Sequence, residues 1–196
     1  MDLYQVYNVP DLISRIEKEG WQPKYVFFWS HTPKRADLIG PWCLSQWYPS
    51  CFALDGIEYA TAEHYYMAEK ARLFGDETKL EQILVAPHPG AAKQFGREIS
   101  GFDDAAWAEV RFEVAVRGNI AKFSQNKELN RYLVNTKRRV LVEASPRDRI
   151  WGIGLTADDR RAEFPQEWLG LNLLGFALMK TRTELLSLSG EAPANR

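Results

Sequence analysis

The sequence predicts an α+β fold, a single domain that is mostly helical and has a few short strands. Apolar residues recur at helical spacing over several stretches, the longest from Asp103 to about Phe123. Only short runs are typical of strands, and no repeat or low-complexity segment interrupts the chain. With 196 residues, one domain can bury roughly 70% of its unfolded surface.

In the first half of the chain, glycines and cap residues mark the ends of the predicted elements. Gly20 and Gly75 each end a helix, and Thr61 caps the second helix. The Asp55-Gly56 pair is typical of a tight turn between two strands. The predicted elements are a helix over 9–20, a buried strand over 24–29, a loop over 30–41, a hairpin over 51–59 and a helix over 61–74.

In the second half, helical patterns dominate. Asn172 is expected to cap a final helix that ends near Leu186, and a loose tail follows over 187–196. The other elements are helices over 76–85, 90–97, 103–123 and 128–134, a strand over 140–142 and an irregular glycine-bearing turn over 149–155.

Composition excludes several classes of protein. The chain holds 25 basic and 26 acidic residues, so bulk charge does not draw it to nucleic acid. Two cysteines, Cys43 and Cys51, make neither a disulfide framework nor a zinc motif. The first residues do not resemble a signal peptide, and no apolar run approaches the roughly 18 residues of a membrane span. We therefore expect a cytoplasmic protein without a membrane partner.

The first group of candidate residues lies at the start of the helix that Thr61 caps. Glu63, Met67 and Lys70 share one helix face, and Glu63 is in the first turn, where the helix dipole favours a carboxylate. Glu63 is either a functional acid or only a stabiliser of the helix. His64 and the other histidines, His31 and His88, lack the spacing of metal ligands, so we predict no metal.

A second group surrounds Asp148 and Trp151, where two glycines let the backbone approach a ligand closely. The alternative is a turn in which Asp148 pairs with Arg149 and Trp151 belongs to the core. On the longest helix, Trp107 and Arg111 are four residues apart, and Trp107 is either a stacking platform or a core residue.

These residue types suit cleavage of a sugar–nitrogen bond. Its oxocarbenium-like transition state needs carboxylates near the sugar, aromatic rings against the base and cations on a phosphate. Glu63 and Asp148 provide the carboxylates, the tryptophans provide the rings, and Lys70 and Arg97 provide the cations.

From Tyr25 to Leu186 the chain carries eight ordered motifs, which define a predicted core over about 25–186. They are Leu44–Pro49, Tyr59–Tyr66 with Glu69-Lys70-Ala71, Ala92-Lys93 with Gly96-Arg97, Trp107 with Arg111, Lys122-Phe123, Leu141–Ser145 with Asp148, Trp151–Gly154, and Asn172–Gly175. On these motifs the chain resembles the YbiA-like NADAR family, also known as riboflavin-biosynthesis-intermediate N-glycosidases.

The resemblance implies a compact, mostly helical α+β fold and hydrolysis of N-glycosidic bonds without metal or cofactor. The implied substrates are ribosylamino-pyrimidine phosphates of riboflavin biosynthesis, which would yield ribose 5-phosphate and the free pyrimidine. Other members are associated with NAD or ADP-ribose. The alternatives are therefore an ADP-ribosyl-guanine hydrolase and a non-catalytic module that binds ADP-ribose or NAD.

The resemblance also implies roles for individual residues. Glu63 and Asp148 correspond to the family's functional acids, and Trp107 to its helix tryptophan. We expect a monomer acting on a small ribosylated or phosphorylated molecule, with ADP-ribosylated guanine as the one nucleic-acid substrate considered. The substrate-binding candidates are Trp47, Tyr48, Lys70, Arg97, Trp107, Arg111 and Trp151.

Two positions depart from the family pattern. The usual Ser-Asn-Phe-Tyr block reads Ser45-Gln46-Trp47-Tyr48, which brings a longer amide and a larger ring. Ile153 follows the Trp-Gly pair where some members carry an aspartate, so no role of that aspartate transfers to this chain.

Overall fold

The computed structural model describes residues 6–33, 35, 38–188 and 190. Helices dominate this part of the chain and the strands are short, which confirms the predicted α+β class. Three short 3-10 helices, which the sequence pattern did not predict, lie at Pro41–Leu44, Arg160–Glu163 and Pro165–Glu167. The helices and strands are α1 (Val9–Glu19), β1 (Tyr25–Phe28), β2 (Phe52–Leu54), β3 (Ile57–Tyr59), α2 (Ala62–Leu73), α3 (Glu77–Leu84), α4 (Pro89–Arg97), α5 (Asp104–Gln125), α6 (Lys127–Asn135), β4 (Val140–Glu143) and α7 (Leu173–Leu188).

Local signals set the element boundaries as predicted. Gly20 ends α1 with a φ of 66°, a left-handed conformation that favours glycine. Asp55 and Gly56 both have positive φ, as a tight turn between β2 and β3 requires. The Thr61 hydroxyl accepts a hydrogen bond from the His64 backbone N–H at the start of α2.

By their internal contacts, the described residues form two compact units. The first unit joins the part of the chain before Gln46 to the part after Lys127, and the second unit is Gln46–Lys127. That the whole chain acts as one domain stays a prediction. No helix in the described part of the chain is both long and apolar enough to cross a membrane.

Helix α2 is the centre of the second unit. It packs against α3, α4 and α5, and its first seven residues, Ala62–Ala68, are all buried. The hairpin joins the same core, because the rings of Tyr59 and Tyr65 meet edge to face at 5.3 Å. Burial on all sides explains why α2 lacks the one-sided apolar pattern of a surface helix.

In the first unit, β1 and β4 pair in parallel, with Tyr25 opposite Val140 and Phe28 opposite Glu143. Helix α7 packs on β4. The prediction that the segment 24–29 is buried is wrong for all of it except Phe28. The other three residues of β1 are half-buried, and Lys24 and Trp29 on either side of the strand are exposed.

The predicted side-chain cap by Asn172 is also wrong. Asn172 has a φ of 52°, and its amide bonds β4 instead of the helix. Its Nδ2 donates to the Leu141 carbonyl and its Oδ1 accepts from the Glu143 N–H, each at 2.9 Å. Helix α7 then continues to Leu188, so the predicted tail over 187–196 begins too early; residues 189 and 191–196 lie outside the described part of the chain.

Candidate functional site

Glu63 lies in the first turn of α2 and is only 6% exposed. Its backbone N–H donates to the Gln46 carbonyl at 3.0 Å, which ties the start of α2 to the segment before the hairpin. The positive end of a helix dipole stabilises a carboxylate at this place. Burial distinguishes Glu63 from an ordinary first-turn glutamate, which stabilises its helix from the solvent side.

Gln46 connects this turn to α5. Its Nε2 donates to Asn119 Oδ1 at 3.0 Å, and Asn119 in turn donates to the Ala115 carbonyl at 2.9 Å. Asn119 is completely buried. Gln46 thus holds the backbone of Glu63 with one group and α5 with another. The longer amide at the departing position therefore reaches α5, while the backbone of the same residue holds α2, and no sequence pattern indicated its partner Asn119.

Lys122 follows Asn119 by one helical turn and is also completely buried. Its ammonium lies 5.9 Å from the ring centroid of Tyr48 and 5.1 Å from that of Phe123. A fully buried lysine is rare in proteins. Sequence reasoning included Lys122 in a motif but assigned it no role. The structure therefore places a buried cation beside one of the predicted substrate-binding aromatics.

The two predicted tryptophans of the second unit differ in environment. Trp107 is 5% exposed, and its ring lies 4.9 Å from that of Tyr66, so it packs as a core residue. Trp47 is half-buried beside the start of α4, where a Cβ on Gly90 would lie 3.5 Å from its ring. The Lys93 ammonium is 5.8 Å from the Trp47 ring centroid. Of the two rings, Trp47 is the better placed to meet a ligand.

The predicted phosphate-binding cations are also unequal. Lys70 donates to the Gly96 carbonyl at 2.7 Å and lies 3.9 Å from the Phe102 ring centroid, and burial lowers its pKa from the ordinary value. Its ammonium therefore satisfies a carbonyl of the last turn of α4. Arg97 is exposed at the end of the same helix, and Arg111 is half-buried on α5.

Asp148 belongs to the first unit and forms a local turn. Its Oδ1 accepts hydrogen bonds from the backbone N–H groups of Ile150 at 2.9 Å and Trp151 at 2.7 Å. This is an Asx turn, whereas the structural alternative considered for this segment paired Asp148 with Arg149. Trp151 is half-buried, while Ile153 is completely buried. Glu63 and Asp148 belong to different units, so their joint action stays a prediction.

The described histidines have other bonding partners than a metal. His64 Nδ1 lies 2.8 Å from the Thr61 hydroxyl and Nε2 lies 3.1 Å from the Ala86 carbonyl, and burial lowers the pKa of the ring. His88 Nδ1 accepts from the Ala91 N–H and caps α4. Within residues 6–33, 35, 38–188 and 190, no group of three or more His, Cys, Asp or Glu side chains could hold a metal ion.

We therefore expect activity to survive exhaustive treatment with EDTA, because the nitrogen lone pairs of His64 and His88 are engaged in hydrogen bonds. The measurement is turnover before and after chelation, with metal content determined on the same sample. Loss of turnover that stoichiometric zinc restores would contradict this prediction.

Comparison with protein families matches the NADAR domain over residues 27–186. The chain is 42% identical to "N-glycosidase R617" of Acanthamoeba polyphaga mimivirus over 166 residues, which is 82% of this chain and 96% of that protein. It is 34% identical to "Riboflavin biosynthesis protein PYRR, chloroplastic" of Zea mays over 148 residues, which is 72% of this chain and 22% of that protein.

A solved structure is also similar. The NMR structure of the Escherichia coli protein YbiA matches with a TM-score of 0.69 and 28% sequence identity. The match covers 90% of this chain and 93% of that chain. The chain is therefore similar to YbiA in its backbone fold as well as in its sequence.

Proposed function

The chain belongs to the NADAR domain family, and on that premise we propose that it is an N-glycosidase, a hydrolase that cleaves the bond between a sugar and a nitrogen atom. The observation that carries the proposal is Glu63, a buried carboxylate at the start of α2 whose backbone is held by Gln46. The name of the mimivirus relative supports the reaction class.

In the proposed mechanism, the bond between the anomeric carbon and the nitrogen breaks as positive charge develops on the sugar ring. The Glu63 carboxylate stabilises that charge and orients the attacking water. The oxygen of the water bonds to the anomeric carbon, and its proton passes to the carboxylate. That proton then passes from the Glu63 carboxyl to the leaving nitrogen, which departs as the free amine, and the carboxylate is restored. Asp148 is proposed to contact the ribose hydroxyls or share in this proton transfer.

We propose ribosylamino-pyrimidine phosphates of riboflavin biosynthesis as the substrates. The name of the maize relative supports this choice, since that protein contains a segment similar to this chain within a riboflavin biosynthesis protein. The formal net charge of −1 also favours a small metabolite over a base embedded in DNA. Trp47 and Tyr48 are proposed to enclose the pyrimidine.

The experiment compares two substrates on the purified protein. We expect kcat/KM for release of ribose 5-phosphate from a ribosylaminopyrimidine phosphate to exceed kcat/KM for ADP-ribosylated guanine in an oligonucleotide. Both are measured at one salt concentration, because nucleic-acid binding is salt-dependent. A higher kcat/KM for the oligonucleotide would mean that the proposed substrate is wrong, but the protein would still be an N-glycosidase. Binding of both without turnover would favour a non-catalytic module.

We expect the phosphate to bind a cationic side chain that is not already hydrogen-bonded within the protein, as Lys70 is to the Gly96 carbonyl. We expect Arg97→Ala to raise KM about tenfold for the phosphorylated substrate and far less for its dephosphorylated form. Lys70→Ala, which removes a bond to the Gly96 carbonyl, should show a smaller difference between the two forms. If Arg97→Ala raised KM equally for both substrates, Arg97 would not bind the phosphate.

A further inference from the structure

The backbone of Glu63 is held from outside its own helix. Glu63 is the second residue of α2, and the first N–H groups of a helix have no partner within the helix. The Thr61 hydroxyl, which caps α2, accepts from the next N–H along the chain, that of His64. The Glu63 N–H donates to the Gln46 carbonyl instead, at 3.0 Å. The position of the proposed catalytic carboxylate therefore depends on where Gln46 lies.

Gln46 is held in turn by its side chain. It lies in a segment of turns, residues 45–51, that belongs to no helix or strand. Its Nε2 donates to Asn119 Oδ1 on α5 at 3.0 Å. One residue thus provides both the carbonyl that the first turn of α2 uses and the amide that fixes this carbonyl relative to α5.

Asn119 is a well-defined anchor for this contact. It is completely buried, and its Nδ2 donates to the Ala115 carbonyl at 2.9 Å, which leaves Oδ1 to accept from Gln46. Helix α5 also packs closely on α2 next to this residue. A Cβ on Gly118 would lie 2.4 Å from the Tyr65 ring, so the absence of a side chain there lets the two helices approach each other. All of these contacts lie within the second unit.

The length of the Gln46 side chain is essential to the contact. Asparagine, the usual residue of the family pattern at this position, carries the same amide on a stem that is one methylene shorter. A contact of 3.0 Å that lengthens by about one carbon–carbon bond lies beyond hydrogen-bond distance. With its backbone in the same place, an asparagine would not reach Asn119.

We propose that Gln46 is a positioning residue for the N-glycosidase reaction. Its side chain holds the first turn of α2 against α5 and so places the Glu63 carboxylate beside the sugar. This inference rests on the proposed function of Glu63. Because Gln46 acts through Glu63 and not on the substrate, loss of its amide should lower kcat and leave KM unchanged.

The first test is steady-state kinetics of ribose 5-phosphate release by the full-length protein. Gln46→Met keeps the length of the side chain without the amide, and Gln46→Asn keeps the amide on the shorter stem. A misplacement of about 1 Å can cost roughly 100-fold in rate, and we expect both variants to lower kcat about tenfold because the backbone bond to Glu63 remains. KM should stay within about twofold. In a Glu63→Gln background, Gln46→Met should change the residual kcat less than about twofold, since its effect requires the carboxylate.

The second test does not require turnover. Hydrogen exchange of the Glu63 amide, followed by NMR, reports directly on the bond to the Gln46 carbonyl. We expect exchange at this amide to be about tenfold faster in Gln46→Met, because the carbonyl that accepts the bond is no longer anchored to α5.

Gln125→Met is the matched control. Gln125 also lies on α5, and its amide bonds the hairpin: Nε2 donates to the Ala53 carbonyl at 2.7 Å and Oε1 accepts from the Ala53 N–H at 2.8 Å. We expect this variant to leave kcat and the exchange of the Glu63 amide unchanged. An equal fall in kcat in Gln125→Met and Gln46→Met would mean that kcat responds to any loosening of α5, and the inference would be wrong.

Three further results would overturn the inference. The first is normal kcat or unchanged exchange of the Glu63 amide in Gln46→Met. The second is a raised KM with unchanged kcat, which would make Gln46 a substrate contact. The third is a tenfold loss that persists in the Glu63→Gln background. Failure of the proposed function differs from all three, because Glu63→Gln alone would then keep near-normal kcat.

Discussion

Replacing Glu63 with glutamine should lower kcat by roughly 100-fold or more while substrate affinity stays within several-fold. The amide keeps the shape of the side chain but can neither accept a proton from water nor stabilise positive charge on the sugar. Because Glu63 is buried and its backbone is held by Gln46, the substitution should leave the turn in place. The measurement is kcat and KM for ribose 5-phosphate release, with binding followed separately.

A matched control is Glu77→Gln. Glu77 occupies the first turn of α3 as Glu63 occupies that of α2, but it is exposed to solvent. If a carboxylate in a first turn mattered only for the helix dipole, both variants would cost a similar, small amount of stability. We expect kcat to fall in Glu63→Gln alone. If Glu63→Gln had near-normal kcat, Glu63 would not be the catalytic carboxylate, and Asp148 would be the next residue to test.

The sequence located Glu63 because the signals for its position are local. A threonine cap, a following glutamate and a glycine stop lie within one helix, and the structure reproduces all three. The bridge from Gln46 to Asn119 had no such signal, since the two residues meet only after α2 and α5 pack. Lys122 was missed for the same reason, because a helical pattern does not show which polar residue ends up buried.

The strands also show that local sequence patterns do not predict contacts between distant parts of the chain. Short apolar runs predicted β1 and β4 correctly, but their parallel pairing joins residues that are far apart in the sequence, Tyr25 opposite Val140. A run of three or four residues carries no information about its partner. Asn172 was misassigned because an asparagine before a helix resembles a cap. Its bonds to Leu141 and Glu143 exist only once β4 lies beside the start of α7.

The motif Asn172–Gly175 therefore has a structural role, and Gly175→Ala should be among the most destabilising single changes in the chain. A Cβ on Gly175 would collide with the Leu141 carbonyl and with the Asn172 amide that bonds it. Helix propensity favours alanine over glycine by about 0.5–1 kcal/mol. The collision with backbone outweighs that gain, and we expect a net loss of about 3 kcal/mol.

Urea denaturation followed by circular dichroism measures the free energy of unfolding of this variant, and Gly96→Ala is the matched control. Gly96 also lies in a helix, but there the new Cβ would meet the thioether of Met67, a flexible side chain that can change rotamer. We expect Gly96→Ala to cost less than Gly175→Ala. Equal stability of Gly175→Ala and the unmodified protein would mean that α7 can shift away from β4 without loss, and that the contact between Asn172 and the strand does not fix the helix.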